Sequence, residues 1–247
     1  MIRRFLLLLL LASGAGAGEA APLIVLKLDD LNAAPYARGG FERVFRVLQK
    51  RNVAASFGVI TNSCAGDGAS RDYFAQLRRW AESGKVELWH HGWAHQRGEF
   101  QGSGLDAQRR RLRDGWTAVK QATGVEMATF GAPFGEVDAD TITALREMPE
   151  IRIWFGPREA ASMGMPVVLH QRATMEAKVG VVSYELFVDS FERQRGADYL
   201  VVLGHPPYWD DASHRAFDRV VQFCLAQGCR FATAAEAVRL LRTQAVE

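Results

Sequence analysis

The stretch ELWHHGWAH, residues 87 to 95, holds His90, His91 and His95 together with Trp89 and Trp93, in a chain that has only six histidines and six tryptophans. His91 and His95 are four positions apart. On a helical turn that spacing sets two imidazoles on one face, about 6 Å from each other, which suits two ligands of one tetrahedral or slightly expanded zinc site. His90 is adjacent to His91, points elsewhere and is not expected to be a third ligand. A second group lies near the N-terminus, where LIVLKL runs into Asp29 and Asp30. Consecutive residues at a strand end face opposite ways, so one carboxylate is placed to meet a metal and the other to reach a bound water or a partner. Taken alone, an Asp-Asp pair reads as a helix cap or solvated turn and a histidine pair as packing groups. Following a buried strand and accompanied by histidines, the carboxylates read as ligands. Two histidines and one aspartate with an open coordination position make a hydrolytic site, not a sealed structural one. Zinc is the expected ion, with cobalt or nickel as alternatives for such nitrogen and oxygen donors.

Residues so far apart in sequence need a scaffold that brings them together. Apolar runs and helical periodicities alternate along the chain: LIVLKL (23 to 28), a helix around 41 to 51, VAASFGVI (53 to 60), a helix around 70 to 83, VELW (86 to 89), a helix around 105 to 122 and MATFG (127 to 131). The second half continues with a helix at 138 to 147, IRIWF (151 to 155), PVVLH (166 to 170), a helix near 185 to 195, YLVVLG (199 to 204), a helix at 212 to 227, CRFAT (229 to 233) and a closing helix at 234 to 243. About seven or eight βα units in one domain predict an α/β barrel with parallel strands. Four polar groups each follow a strand: Asp29 and Asp30; His90, His91 and His95; Ala132 to Gly135; and His205 to Trp209. In a parallel barrel every strand C-terminus opens on one face, so these groups are expected to share one mouth. The segment 156 to 183, rich in Gly, Met and Pro, is expected to be a substrate-facing excursion.

The first 20 residues read as a secretory signal peptide: Arg3 and Arg4, an apolar run from Phe5 to Ala12, then small residues. Eight apolar residues are too few to span a bilayer of roughly 30 Å, so no stable membrane anchor is expected once the signal is cleaved, and the mature domain, residues 21 to 247, is expected to be secreted or periplasmic. Its near-neutral charge, falling from +2 to about +1 on loss of Arg3, Arg4 and Glu19, argues against a nucleic-acid partner held through phosphates. Of the three cysteines, Cys64, Cys224 and Cys229, only the last two are close enough in sequence to consider as a disulfide, though they span a helix end and turn.

In order and spacing, LKLDDL, ELWHHGWAH, TFGAPFG and VVLGHPPYW resemble the motifs of the polysaccharide deacetylase family, and RFATAAEAVRLL is similar to its closing strand and helix. The resemblance implies a distorted barrel of seven strands and a secreted, metal-dependent enzyme that removes N-acetyl groups from an amino-sugar polymer of the chitin, peptidoglycan or exopolysaccharide type. It implies Asp29 as general base, Asp30, His91 and His95 as metal ligands, His205 as general acid, and Phe134 as the residue whose backbone N–H holds the oxyanion. Two family partners are missing. Gly131 and Ala132 stand where an arginine pairs with the base, and no aspartate lies near IRIWFGPRE to orient the acid histidine. Arg158 and Glu159 are expected to substitute for them. Flat aromatic faces pack against sugar rings; Trp93, Pro133, Tyr208 and Trp209 form the expected substrate-facing set, whereas Trp89 and Phe134 suit the core at least as well. His170 reads as a satisfied histidine, His214 as part of a solvated helix face, and Arg109, Arg110, Arg111 and Arg113 as an exposed helical surface. The loss of the two partners also admits a non-catalytic glycan-binding protein, and a third reading is an amidohydrolase of a small N-acylated molecule.

Overall fold

A computed structural model describes residues 21–66, 71–163 and 167–244. The expected signal peptide therefore lies outside the described residues. Seven strands form one parallel sheet in the order β5-β4-β3-β2-β1-β9-β6, with β1 Leu23–Leu31, β2 Ala55–Val59, β3 Val86–His90, β4 Thr129–Phe130, β5 Ile153–Trp154, β6 Arg172–Thr174 and β9 Tyr199–Gly204. Seven helices cover the sheet: α1 Pro35–Arg51, α2 Arg71–Glu82, α3 Leu105–Thr123, α4 Ala139–Arg146, α5 Tyr184–Glu192, α6 Asp211–Ala226 and α7 Ala234–Gln244. β7 Glu176–Lys178 and β8 Val181–Val182 pair as a separate antiparallel hairpin.

Burial on both faces explains why β1 is apolar for six of its nine residues. Leu23 and Val25 pack inward with Trp89, Phe155 and Val201, while Ile24, Leu26 and Leu28 pack outward with Phe41, Phe57, Phe217 and other residues of the helix-facing core. The same alternation sends Lys27 and Asp29 to the inner side. The sheet curls until its edges are joined by one segment: the Trp154 and Leu169 amides bond to the Val167 and Trp154 carbonyls, and the Val201 amide to the Gln171 carbonyl.

The alternating pattern located every helix and most strands. The run PVVLH, however, contributes only a bridge at Val168, and CRFAT only a bridge at Phe231. Neither β6 nor the hairpin was expected, because each has only two or three residues and no apolar run. Helix α1 begins at Pro35, six residues before the expected start, because Pro is already compatible with the first turn and Gly39-Gly40 hides the helical period. Gly40 is needed there: a Cβ would lie 2.3 Å from the Pro206 carbonyl oxygen. All three cysteines are free and buried, so Cys224 and Cys229 are not joined. His214 corrects another expectation. It is buried on α6 against the Trp209 ring, not on a solvated face. Among the described residues no helix is long and apolar enough to cross a membrane.

Candidate active site

Asp29 and Asp30 both reach the same histidine, against the expectation that neighbouring side chains diverge. The register between β1 and β2 passes from Leu28 opposite Phe57 to Leu31 opposite Val59, so three steps on one strand meet two on the other. This bulge, with Asp30 at φ 75°, undoes the alternation for one residue. Asp30 Oδ1 consequently lies 3.2 Å and Asp29 Oδ2 3.5 Å from His91 Nε2.

His91 and His95 converge through a loop, not a helical turn. Its path turns at two left-handed residues, Gly92 (φ 75°) and His95 (φ 55°). The buried Glu99 carboxylate anchors it, accepting backbone N–H bonds from Trp93, Ala94 and Gln96. A carboxylate buried with several amide donors is a stable arrangement. Sequence reading passed over Glu99, since nothing in its spacing distinguishes it from a surface acid. His90 points the other way and is fully buried beside Phe130 and under Gly115 of α3; burial, above all, pushes its pKa down to about 4.

Asp30 Oδ1 lies 2.9 Å from His95 Nε2, and Asp30, His91 and His95 offer ligand atoms all within 4.8 Å of one another. The hydrogen-bond pattern fits a cation. The Gly131 carbonyl can only accept, so the 2.9 Å contact puts a proton on His91 Nδ1. A neutral His91 then turns the Nε2 lone pair toward a carboxylate oxygen, a repulsive arrangement that a divalent ion between them reverses. With the two imidazoles protonated instead, burial still pushes the Asp30 carboxyl upward, but their hydrogen bonds and charges outweigh it and hold the group well below the ordinary carboxylate range.

The other two polar groups each have a partner. Lys27 Nζ, buried with Asp29, lies 2.7 and 2.5 Å from its two carboxylate oxygens. Burial lowers the lysine's pKa, against the raising effect of the Asp29 contact. On the opposite wall, Glu176 of β7 accepts the His205 backbone N–H at 2.9 Å, its ring Nδ1–H at 2.6 Å and the Trp209 indole N–H at 2.5 Å. Burial would lower the His205 pKa; the Glu176 hydrogen bond and the charges of Asp29, Glu176 and Asp30 leave it raised.

The profile of the polysaccharide deacetylase family matches residues 17–150, more than half of the chain. The chain belongs to the polysaccharide deacetylase family. Comparison with curated proteins gave no match. Solved structures of similar fold include a family 4 acetyl xylan esterase from Clostridium thermocellum in complex with a cobalt ion (TM-score 0.65, 19% identity, 88% of this chain and 91% of that one). The peptidoglycan deacetylase PdaC from Bacillus subtilis is also similar (TM-score 0.64, 17% identity, 91% and 93% covered). So is a CE4 family pseudoenzyme from Bacillus anthracis (TM-score 0.61, 14% identity), of whose length the alignment covers 66% and of this chain 89%.

Within this family member, Lys27 and Glu176 occupy the places for which Arg158 and Glu159 were expected. Both of those side chains are exposed in a short 3₁₀ segment, Arg158–Met163, and neither lines the cavity above the ligands. Two residues before Asp29 on one strand, Lys27 necessarily faces the same way. Glu176 arrives from the hairpin in the segment expected to be an excursion, and no sequence signal marked it.

The cavity above the candidate ligands holds about 380 Å³ and is lined by Asp29, Asp30, His91, His95, Phe134, Tyr208 and His205 among others. Phe134 sits at φ 57°, with its ring 4.6 Å from that of His95, and its backbone N–H makes no hydrogen bond among the described residues. Tyr208, half exposed, stands at the rim. The remaining members of the expected substrate-facing set do not line this cavity: Trp209 is buried in the main core behind His205, Pro133 is buried beneath Gly92, and Trp93 belongs to the loop tied to Glu99. Trp89 is core, stacked edge-on against Phe155 under Lys27.

Proposed function

We propose that this protein is an exported, metal-dependent deacetylase that removes N-acetyl groups from the amino sugars of a glycan polymer. The observation that carries the reading is the convergence of Asp30, His91 and His95 on one point, flanked by an aspartate paired with a lysine and an imidazole with a carboxylate behind it. A divalent cation of the zinc type, bound by those three residues, would supply an activated water and polarise the acetamide carbonyl.

The chain's own groups then divide the proton transfers. Asp29, paired with Lys27 at 2.5 Å, accepts the proton of the attacking water. The free Phe134 N–H is the donor to the oxygen that gains charge. His205, with Nδ1 engaged by Glu176, keeps its Nε2 proton for the departing amine, so that the tetrahedral intermediate releases acetate instead of reverting. Water enters, the amide C–N bond breaks, and acetate and a free amine leave.

Lys27 and Glu176 also bear on the non-catalytic alternative. That reading drew its support from the missing arginine and aspartate, and a buried cation on the base and a buried carboxylate on the acid remove the motive for it. The N-terminal signal-like segment supports export, and the polymer's identity is a matter for substrate comparison. The test is acetate release from chitin oligomers and peptidoglycan fragments by the zinc-supplemented protein and by Asp29→Asn. Release by the wild type and its loss in the variant are expected. Glycan binding without any release by the wild type would overturn the assignment, and release only from short acylated amines would redirect it.

A further inference from the structure

Arg172 stands where two cavities meet. The 380 Å³ cavity above the candidate ligands shares Ala132, Gly135, Phe155 and Arg172 with a second of about 280 Å³, which continues past Trp154 and Pro157 to His170. Together they are larger than an acetamide group requires and fall within the range of ligand-binding clefts. No aspartate or glutamate lines the second cavity.

Arg172 opens β6 in register with Val201, on the inner side of the curled sheet, and its side chain is exposed to the cavity mouth. Its guanidinium makes no ion pair among the described residues. The acids of the neighbouring site are already engaged: Asp29 by Lys27, Asp30 by the two histidines, Glu176 by His205 and Trp209. Arg172 also acts on Lys27 as a like charge that lowers its pKa. A cation that repels a buried neighbour and has no acid of its own is favourable in a cleft when the ligand brings the anion. His170 adds a hydrogen-bonding ring to the same wall; its Nδ1 lies 3.4 Å from both the Val168 carbonyl and the Tyr199 hydroxyl.

We propose that this second cavity binds a carboxylate-bearing sugar adjoining the N-acetylated one, with Arg172 as the residue that selects it. The planar fork of an arginine matches a carboxylate in two parallel hydrogen bonds. The preferred substrate is then an acidic glycan, of the kind that alternates amino sugars with uronic acids, over a neutral chitin-type chain. This rests on the deacetylase reading for the neighbouring site.

The experiment compares kcat/KM for neutral N-acetylglucosamine oligomers with that for oligosaccharides of equal length alternating N-acetylglucosamine and glucuronate, using wild type, Arg172→Gln and Arg172→Lys. A parallel arm measures binding of both oligomers by calorimetry. The wild type is expected to prefer the acidic oligomer by on the order of tenfold or more at low salt. In Arg172→Gln the ratio should fall to about one, with Arg172→Lys in between, since it keeps the charge and loses the fork. An acidic-to-neutral ratio of one in the wild type, or the same ratio in all three proteins, would overturn the proposal. Absence of turnover on either oligomer would count against the deacetylase reading alone; the binding ratio then decides the subsite by the same criterion.

Discussion

Replacing Glu176 by Gln tests whether the hairpin carboxylate acts through His205. The carboxylate accepts three N–H donors, two from His205 and one from Trp209, at 2.5 to 2.9 Å. A glutamine of the same shape offers one oxygen and turns an NH₂ group toward a donor, so at least one of the three bonds is lost and the charge behind the imidazole disappears. A hydrogen bond to a charged group contributes about 1.5–3 kcal/mol. At about 1.4 kcal/mol per decade, kcat/KM should fall roughly ten- to a hundredfold. The pH profile separates this from a packing defect. An acid catalyst must be protonated, so rate is lost as pH rises through its pKa. Glu176 raises that pKa, hence its removal should move the basic limb to lower pH. The assay is acetate release across pH 5 to 10 with zinc present, with a melting curve to establish folding. A folded variant whose kcat/KM stays within about twofold, with its basic limb unmoved, would refute the coupling.

Other outcomes follow from the same geometry. Lys27→Met leaves Asp29 as an uncompensated buried charge and should lower stability by about 3–5 kcal/mol in urea unfolding, whereas the double variant Lys27→Met/Asp29→Asn should recover most of that loss without recovering acetate release. Chelation should abolish release and lower the melting temperature, with zinc restoring both; Asp30→Ala, His91→Ala and His95→Ala should each reduce the metal retained after dialysis, measured by elemental analysis. Gly115→Ala would bring a Cβ to 2.3 Å from Thr61 Oγ1 and 2.4 Å from His90 Nε2, and should destabilise by about 1–3 kcal/mol in thermal denaturation although it touches none of the candidate ligands.

The barrel was legible because burial on both strand faces writes long apolar runs, as in β1 and β9, and because helices such as α3 keep their period over 19 residues. The candidate ligand trio was legible for a different reason: imidazoles and carboxylates placed after such strands have few other uses. The i,i+4 spacing of His91 and His95 assumed a helical turn, whereas Gly92 and His95 turn a loop that brings the two rings together. Lys27 could have been found, because period-two alternation from Asp29 puts it on the same wall. Glu176 could not. It lies on a three-residue strand, EAK, with no apolar period, and its partner is 29 residues away in sequence. Trp209 misled because an aromatic just past a strand end looks like a pocket residue, while its indole is fixed from behind by Glu176.

The one-residue insertion in β1 bears on how such a site can diverge. The spacing of the Asp29 and Asp30 carboxylates is written into the main chain, in a strand paired to β2 and β9 on either side. Flanking groups such as an arginine on a distant loop can therefore be exchanged for a lysine on the same strand without retuning that interval. What cannot drift is position 30 itself: its left-handed backbone tolerates aspartate, asparagine or glycine and penalises any branched replacement, so the conformation narrows the choice before chemistry does.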